Sequence, residues 1–104
     1  MPPREVRIGM RSDVPERGSK RFRVGGTDVT VFDTRDGLRA VQDECPHRAI
    51  SLCGAPVDGS LVTCPGHGWK FDLATGGCVE GEEGARLATY RLHERGGELF
   101  LELP

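Results

Sequence analysis

Residues 64–69 read CPGHGW, and upstream of them residues 45–47 read CPH. The chain has only three histidines and four cysteines, yet two of each are gathered into these two short couples, C-x-H and C-x2-H, with 16 residues between them. A lone cysteine is ordinarily a small buried hydrophobe and a lone histidine a satisfied surface or core residue. Two Cys/His couples, each set in a Pro/Gly loop, are a poor fit to that bland reading. Thiolate and neutral imidazole both ligate zinc and iron, so two loops presenting one of each can close a four-ligand site from Cys45, His47, Cys64 and His67. Zinc fingers usually pair like with like, two cysteines and then two histidines. Loops that each mix the two types suit a binuclear centre, with a zinc-stabilised interaction module as the alternative.

Outward from these loops the sequence reads as short strands joined by turns. Leu38 to Asp43 forms a strand that delivers the chain to Cys45, and Leu61–Thr63 runs likewise into Cys64. The alternating KRFRV at 20–24 and VTVF at 29–32, separated by GGTD, predict a hairpin. Lys70–Asp72 leads through the turn ATGG at 74–77 to Cys78 and Val79, and Asp58-Gly59 marks a turn between the two Cys/His loops. Ala88 to Glu94, the turn at 95–97 and ELFLEL at 98–103 make a last hairpin, with Leu99, Leu101 and Leu103 on one face. Helix signals are scarce. The expectation is an all-β fold, a small sandwich or barrel of short antiparallel strands.

At 104 residues the chain is expected to be one domain, 1–104, with a modest core. A net charge of −2 from 14 basic and 16 acidic residues provides no basic field for nucleic acid. The N-terminus MPPRE has no apolar signal segment, and no run approaches the roughly 20 apolar residues of a membrane span. A cytoplasmic location away from membranes is therefore expected, which favours a metal site over a disulfide framework.

The two couples, with DECPHR at 43–48, GSLVTC at 59–64, HGWKFD at 67–72 and ATGG at 74–77, resemble the Rieske [2Fe-2S] family, its ferredoxins and oxygenase domains, over essentially the whole chain. The resemblance implies a Rieske-type sandwich or barrel with two cluster-binding loops. It also implies a [2Fe-2S] cluster with Cys45 and Cys64 on the inner iron and His47 and His67 on the outer one. Replacing two thiolates by neutral imidazoles removes negative charge from such a cluster and eases its reduction.

Departures from the family's high-potential members are informative. Those carry a disulfide between the two loops, whose second cysteine precedes the second ligand histidine; here that position is Gly66. They also place a serine and a tyrosine two and four residues after that histidine as hydroxyl donors to sulfur, where this chain has Trp69 and Phe71. Fewer hydrogen bonds predict a low potential, nearer about −150 mV than the +300 mV end of the Rieske range. Trp69 and Phe71 are expected to pack beneath the loops, Cys53 and Cys78 to be free, partly buried thiols, and Arg48 to be either a solvated charge or a docking contact. The Glu80, Glu82, Glu83 run is expected to be a solvated loop that can approach the cluster, although the family's proline there is missing.

A mononuclear iron of the oxygenase kind needs two histidines and a carboxylate, and only His93 would remain. No G-x-G-x-x-G fingerprint follows a strand, so electrons must arrive from another protein. The resemblance thus implies a monomeric one-electron carrier between a flavin-dependent reductase and a terminal oxygenase such as an aromatic-ring dioxygenase. The alternative is the small Rieske-like subunit of an assimilatory nitrite reductase.

Overall fold

The computed structural model describes residues 4–46, 49–66 and 68–103. They form eleven strands and one 3-10 turn: β1 (Arg4–Met10), the turn Arg11–Asp13, β2 (Ser19–Val24), β3 (Thr27–Thr34), β4 (Gly37–Gln42), β5 (Val57–Asp58), β6 (Leu61–Thr63), β7 (Lys70–Asp72), β8 (Cys78–Glu80), β9 (Thr89–Tyr90), β10 (Leu92–Arg95) and β11 (Glu98–Leu103). There is no α-helix among the described residues, as the sequence led one to expect.

The strands make three antiparallel sheets, ordered β1-β11-β10, β2-β3-β4-β9 and β5-β6-β7-β8. The second sheet lies between the other two, because β3 is buried on both faces: Val29, Thr30, Val31 and Phe32 are all buried. Successive side chains of a strand point to opposite faces. Val29 and Val31, with Ala40 of β4, accordingly pack against Leu99 and Leu101 of β11 in one core. Phe32 and Val41 pack on the other side with Val62, Phe71, Leu73, Cys45 and Cys64. The second core thus joins the central sheet to the small sheet, with the first Cys/His loop running between them from β4 to β5 and the second at the tip of the small sheet's β6–β7 hairpin.

The hairpin expected from 20 to 32 is present, with Val24 paired to Thr27 around Gly25 and Gly26. Both glycines have positive φ, 56° and 84°, which the tight two-residue turn requires. The expected strand from Ala88 to Glu94 differs. The chain breaks at Arg91, so that β9 pairs with β4 in the central sheet while β10 pairs with β11 in another. Strand β1 was not foreseen; it pairs with β11 from Arg4–Leu103 to Met10–Glu98, with a bulge between Arg7 and Gly9.

Candidate metal centre

The first loop leaves β4 through Asp43, whose carboxylate is buried and serves as an anchor. Its Oδ1 accepts the Thr30 hydroxyl at 2.6 Å and the Ser51 hydroxyl at 2.7 Å. Its backbone carbonyl accepts the Leu52 N–H at 2.7 Å. The Cys45 N–H donates to the Ile50 carbonyl at 3.0 Å. Both stems of the loop are thereby clamped to each other and to β3, and Cys45 is held at the loop's root with 3% of its surface exposed.

The second loop is the tip of the β6–β7 hairpin, in which Val62 pairs with Phe71 and Thr63 with Lys70. The Cys64 N–H donates to the Trp69 carbonyl at 2.7 Å, and the Gly68 N–H donates back to the Cys64 carbonyl at 3.1 Å. Gly68 has φ +76° with nothing near a would-be Cβ, so it supplies backbone freedom and not close packing. Cys64 is 1% exposed. The two loops touch: a Cβ at Gly66 would lie 2.6 Å from Ile50 Cδ1 and 3.7 Å from Cys64 Sγ. A van der Waals contact between Ile50 and Gly66 therefore joins the loops where a side chain larger than hydrogen would have to displace the tip of Ile50.

Trp69 and Phe71 pack under the loops as expected, their ring centroids 6.4 Å apart, with Phe71 fully buried. The third loop follows β8 and rests on Trp69. A Cβ on Gly81, at φ +139°, would lie 2.5–2.9 Å from three indole carbons. Glu80 pairs with Lys70 at 3.7 Å, while Glu82 and Glu83 are exposed. Cys53 and Cys78 are free thiols. Cys53 is exposed and not partly buried, beside the Ser19 hydroxyl, and the half-buried Cys78 donates to the Glu80 carbonyl at 3.4 Å.

Of the expected ligands, Cys45 and Cys64 are brought into one core from different sheets and loops. His47 and His67, and Arg48 beside the first of them, lie outside the described residues. Among the described residues no group of three or more His, Cys, Asp or Glu is set to hold a metal, as follows when two of the four expected ligands are not among them. The two buried thiols suit the sulfur half of the cluster's donor set. Three supports of the site had no distinct signal in the sequence: the Asp43 anchor, the Ile50–Gly66 contact and the Gly81–Trp69 contact. Each depends on a partner at a distance along the chain that no local pattern reveals.

Residues 4–91 match the Rieske [2Fe-2S] domain family, and the chain belongs to it. The Rieske domain brings with it a [2Fe-2S] cluster of the Rieske type. The chain is 32% identical over 94 residues to the 3-phenylpropionate/cinnamic acid dioxygenase ferredoxin subunit of Escherichia coli strain K12, covering 89% of this chain and 88% of that protein. It is 45% identical over 65 residues to the 4beta-methylsterol monooxygenase of Methylococcus capsulatus, but these cover 62% of this chain and only 17% of that larger protein. Among solved structures, a chain in the complex of reduced oxygenase and oxidized ferredoxin in carbazole 1,9a-dioxygenase superposes with a TM-score of 0.82 at 26% identity, over 94% of this chain and 92% of that one. A protein assigned as the small subunit of an NADPH nitrite reductase shares the fold, with a TM-score of 0.81 at 23% identity over 94% and 97% of the two chains. No helix among the described residues is long and apolar enough to cross a membrane.

Proposed function

We propose that this chain is a monomeric one-electron carrier that takes electrons from a flavin-dependent reductase and delivers them to a terminal oxygenase such as an aromatic-ring dioxygenase. Cys45, His47, Cys64 and His67 are the cluster ligands in this reading. The observation that carries it is the pair of buried thiols at the roots of two touching loops, in a family whose similar members include dioxygenase ferredoxin subunits of matching length. When bound, the cluster supplies reversible one-electron transfer. The chain's own residues hold and shield it. Asp43 fixes the first loop, the β6–β7 ladder fixes the second, and Trp69 and Phe71 close the site from beneath with no hydroxyl to give. That last feature supports a low potential.

A carrier that turns over needs a brief, small contact, below about 1,200 Å² in total. The nitrite reductase reading is favoured by the shared fold of the second solved structure. Gel filtration of native extract separates the two. A free carrier elutes at its own mass of 11.3 kDa, whereas a subunit travels with a large flavoprotein. Purified protein should contain inorganic sulfide and, once reduced, give the rhombic EPR signal of a Rieske cluster. A colourless, EPR-silent zinc protein would overturn the proposal.

A further inference from the structure

Strand β9 pairs with β4 only at two positions, Tyr90 with Ala40 and Thr89 with Val41. The same register would next set Arg91 opposite Arg39. At that point the ladder opens, because the chain leaves for β10, and a cleft of about 510 Å³ lies along the edge of β4. Arg39, Arg91, Tyr90 and His93 line it, over apolar side chains that include Leu38 and Leu73.

The electrostatics of this cleft are incomplete. No Asp or Glu lines it. Like charges set directly across a strand pair are destabilising unless something neutralises them. Neither guanidinium has an ion pair or a side-chain hydrogen bond among the described residues, although most other arginines of the sheets do. The Arg39 Nε is buried with no hydrogen-bond partner among them. A buried donor left unsatisfied is costly, the more so when it is charged, so such groups are usually matched by an acceptor. The Tyr90 hydroxyl is likewise without a partner among the described residues. His93 differs, since its Nε2 lies 2.5 Å from Glu102 Oε2 and its ring is already engaged.

We propose that this cleft is a binding site for a small oxyanion, a carboxylate or a phosphate group, held between the guanidinium groups of Arg39 and Arg91 with the Tyr90 hydroxyl as a further donor. Two planar guanidinium forks and a phenol match the several acceptor lone pairs of such a group. Arg39 shares its strand face with Val41 and so lies at the margin of the core that holds Cys45 and Cys64. Leu73, on the other wall, directly follows β7, whose far end enters the Cys64 loop. A bound anion would therefore tie the central sheet to the base of the cluster-bearing sheet. This site goes beyond the electron-carrier reading and does not depend on it.

The test titrates the cluster-loaded protein with inorganic phosphate and, separately, with succinate, at constant ionic strength with chloride as the balancing anion, followed by calorimetry and thermal unfolding. One saturable site is expected, with a rise in melting temperature of about 10 °C at a hundredfold excess over the dissociation constant. Arg39→Gln and Arg91→Gln should each weaken binding about tenfold. Arg4→Gln, at a distant edge, should leave it unchanged. Saturation by phosphate alone assigns the site to a phosphate group, and saturation by succinate alone to a carboxylate. Absence of saturable binding by either anion overturns the proposal, as does unchanged affinity in Arg91→Gln, an exposed position whose variant should fold.

Discussion

Replacing Gly81 by alanine probes the support of the cluster loops more directly than any ligand mutation. Two costs add. The backbone at φ +139° lies where a side chain is strained, worth about 1–3 kcal/mol. The new methyl would also sit 2.5–2.9 Å from three carbons of the Trp69 indole, a rigid ring that is itself packed on the core, and such overpacking costs about 1–3 kcal/mol. The sum, about 2–6 kcal/mol, is a large share of the roughly 5–15 kcal/mol by which a domain is stable, and corresponds to a fall in melting temperature of about 10–30 °C. Gly84, three residues on in the same loop, provides the control. It has φ +89° but nothing within 4 Å of a would-be Cβ, so Gly84→Ala carries strain alone. Thermal unfolding of the cluster-loaded proteins, read by far-UV circular dichroism and by visible cluster absorbance, should rank wild type above Gly84→Ala and that above Gly81→Ala. Adding Trp69→Leu to Gly81→Ala should recover part of the loss and give a coupling of about 1 kcal/mol or more. If Gly81→Ala is no less stable than Gly84→Ala, the third loop does not lean on Trp69 and the reasoning fails.

The first loop is open to an equally specific test. Asp43→Ala strands two hydroxyls that now donate to a carboxylate, and should cost about 3 kcal/mol in urea unfolding; a loss under about 1 kcal/mol would remove Asp43 as the anchor. Cys45→Ser and Cys64→Ser should each yield protein with little iron or sulfide by chemical analysis, and a normal complement from either would refute the ligand assignment. His67→Cys, which restores a thiolate to the cluster, should lower the reduction potential measured by voltammetry. On the far edge, the Arg95 guanidinium hydrogen-bonds Glu5 and holds its carboxyl below the usual carboxylate range. A depressed folded-state pKa means stability that is present at neutral pH and lost as pH falls below the ordinary carboxylate value of 4.5. Since the pair is largely solvent-exposed the effect is small, and Glu5→Gln should lower the neutral plateau slightly while leaving stability at acid pH unchanged, which flattens the acid limb of the stability curve.

Much of the site was legible because metal chemistry is written in residue types and short spacings. C-x-H and C-x2-H point to thiolate and imidazole as the proposed donors, and Trp69 and Phe71 announce the lack of hydroxyl donors by identity alone. The hairpins at 19–34 and 92–103 were legible for a similar reason, since a period of two and a Gly-Gly turn are both local. Strand β1 was in principle legible, as Val6, Ile8 and Met10 alternate with Arg7 and Gly9, but a charged, proline-led N-terminus masks the pattern.

What the chain alone determined, then, is the all-β character and the positions of most turns, because these follow from side-chain chemistry and backbone freedom within a few residues; the proposed donor set rests on the same local chemistry. Only the tertiary structure decided which strand edges meet. It placed β1 against β11, so that Arg4 pairs with Leu103, and it divided the run after Ala88 between two sheets at Arg91. It also set Asp43 under two hydroxyls, Gly81 on Trp69 and Arg39 opposite the break. Alternation tells a strand which face to bury, but partner and register are chosen by the summed packing of both cores, and that choice is made between residues far apart in sequence.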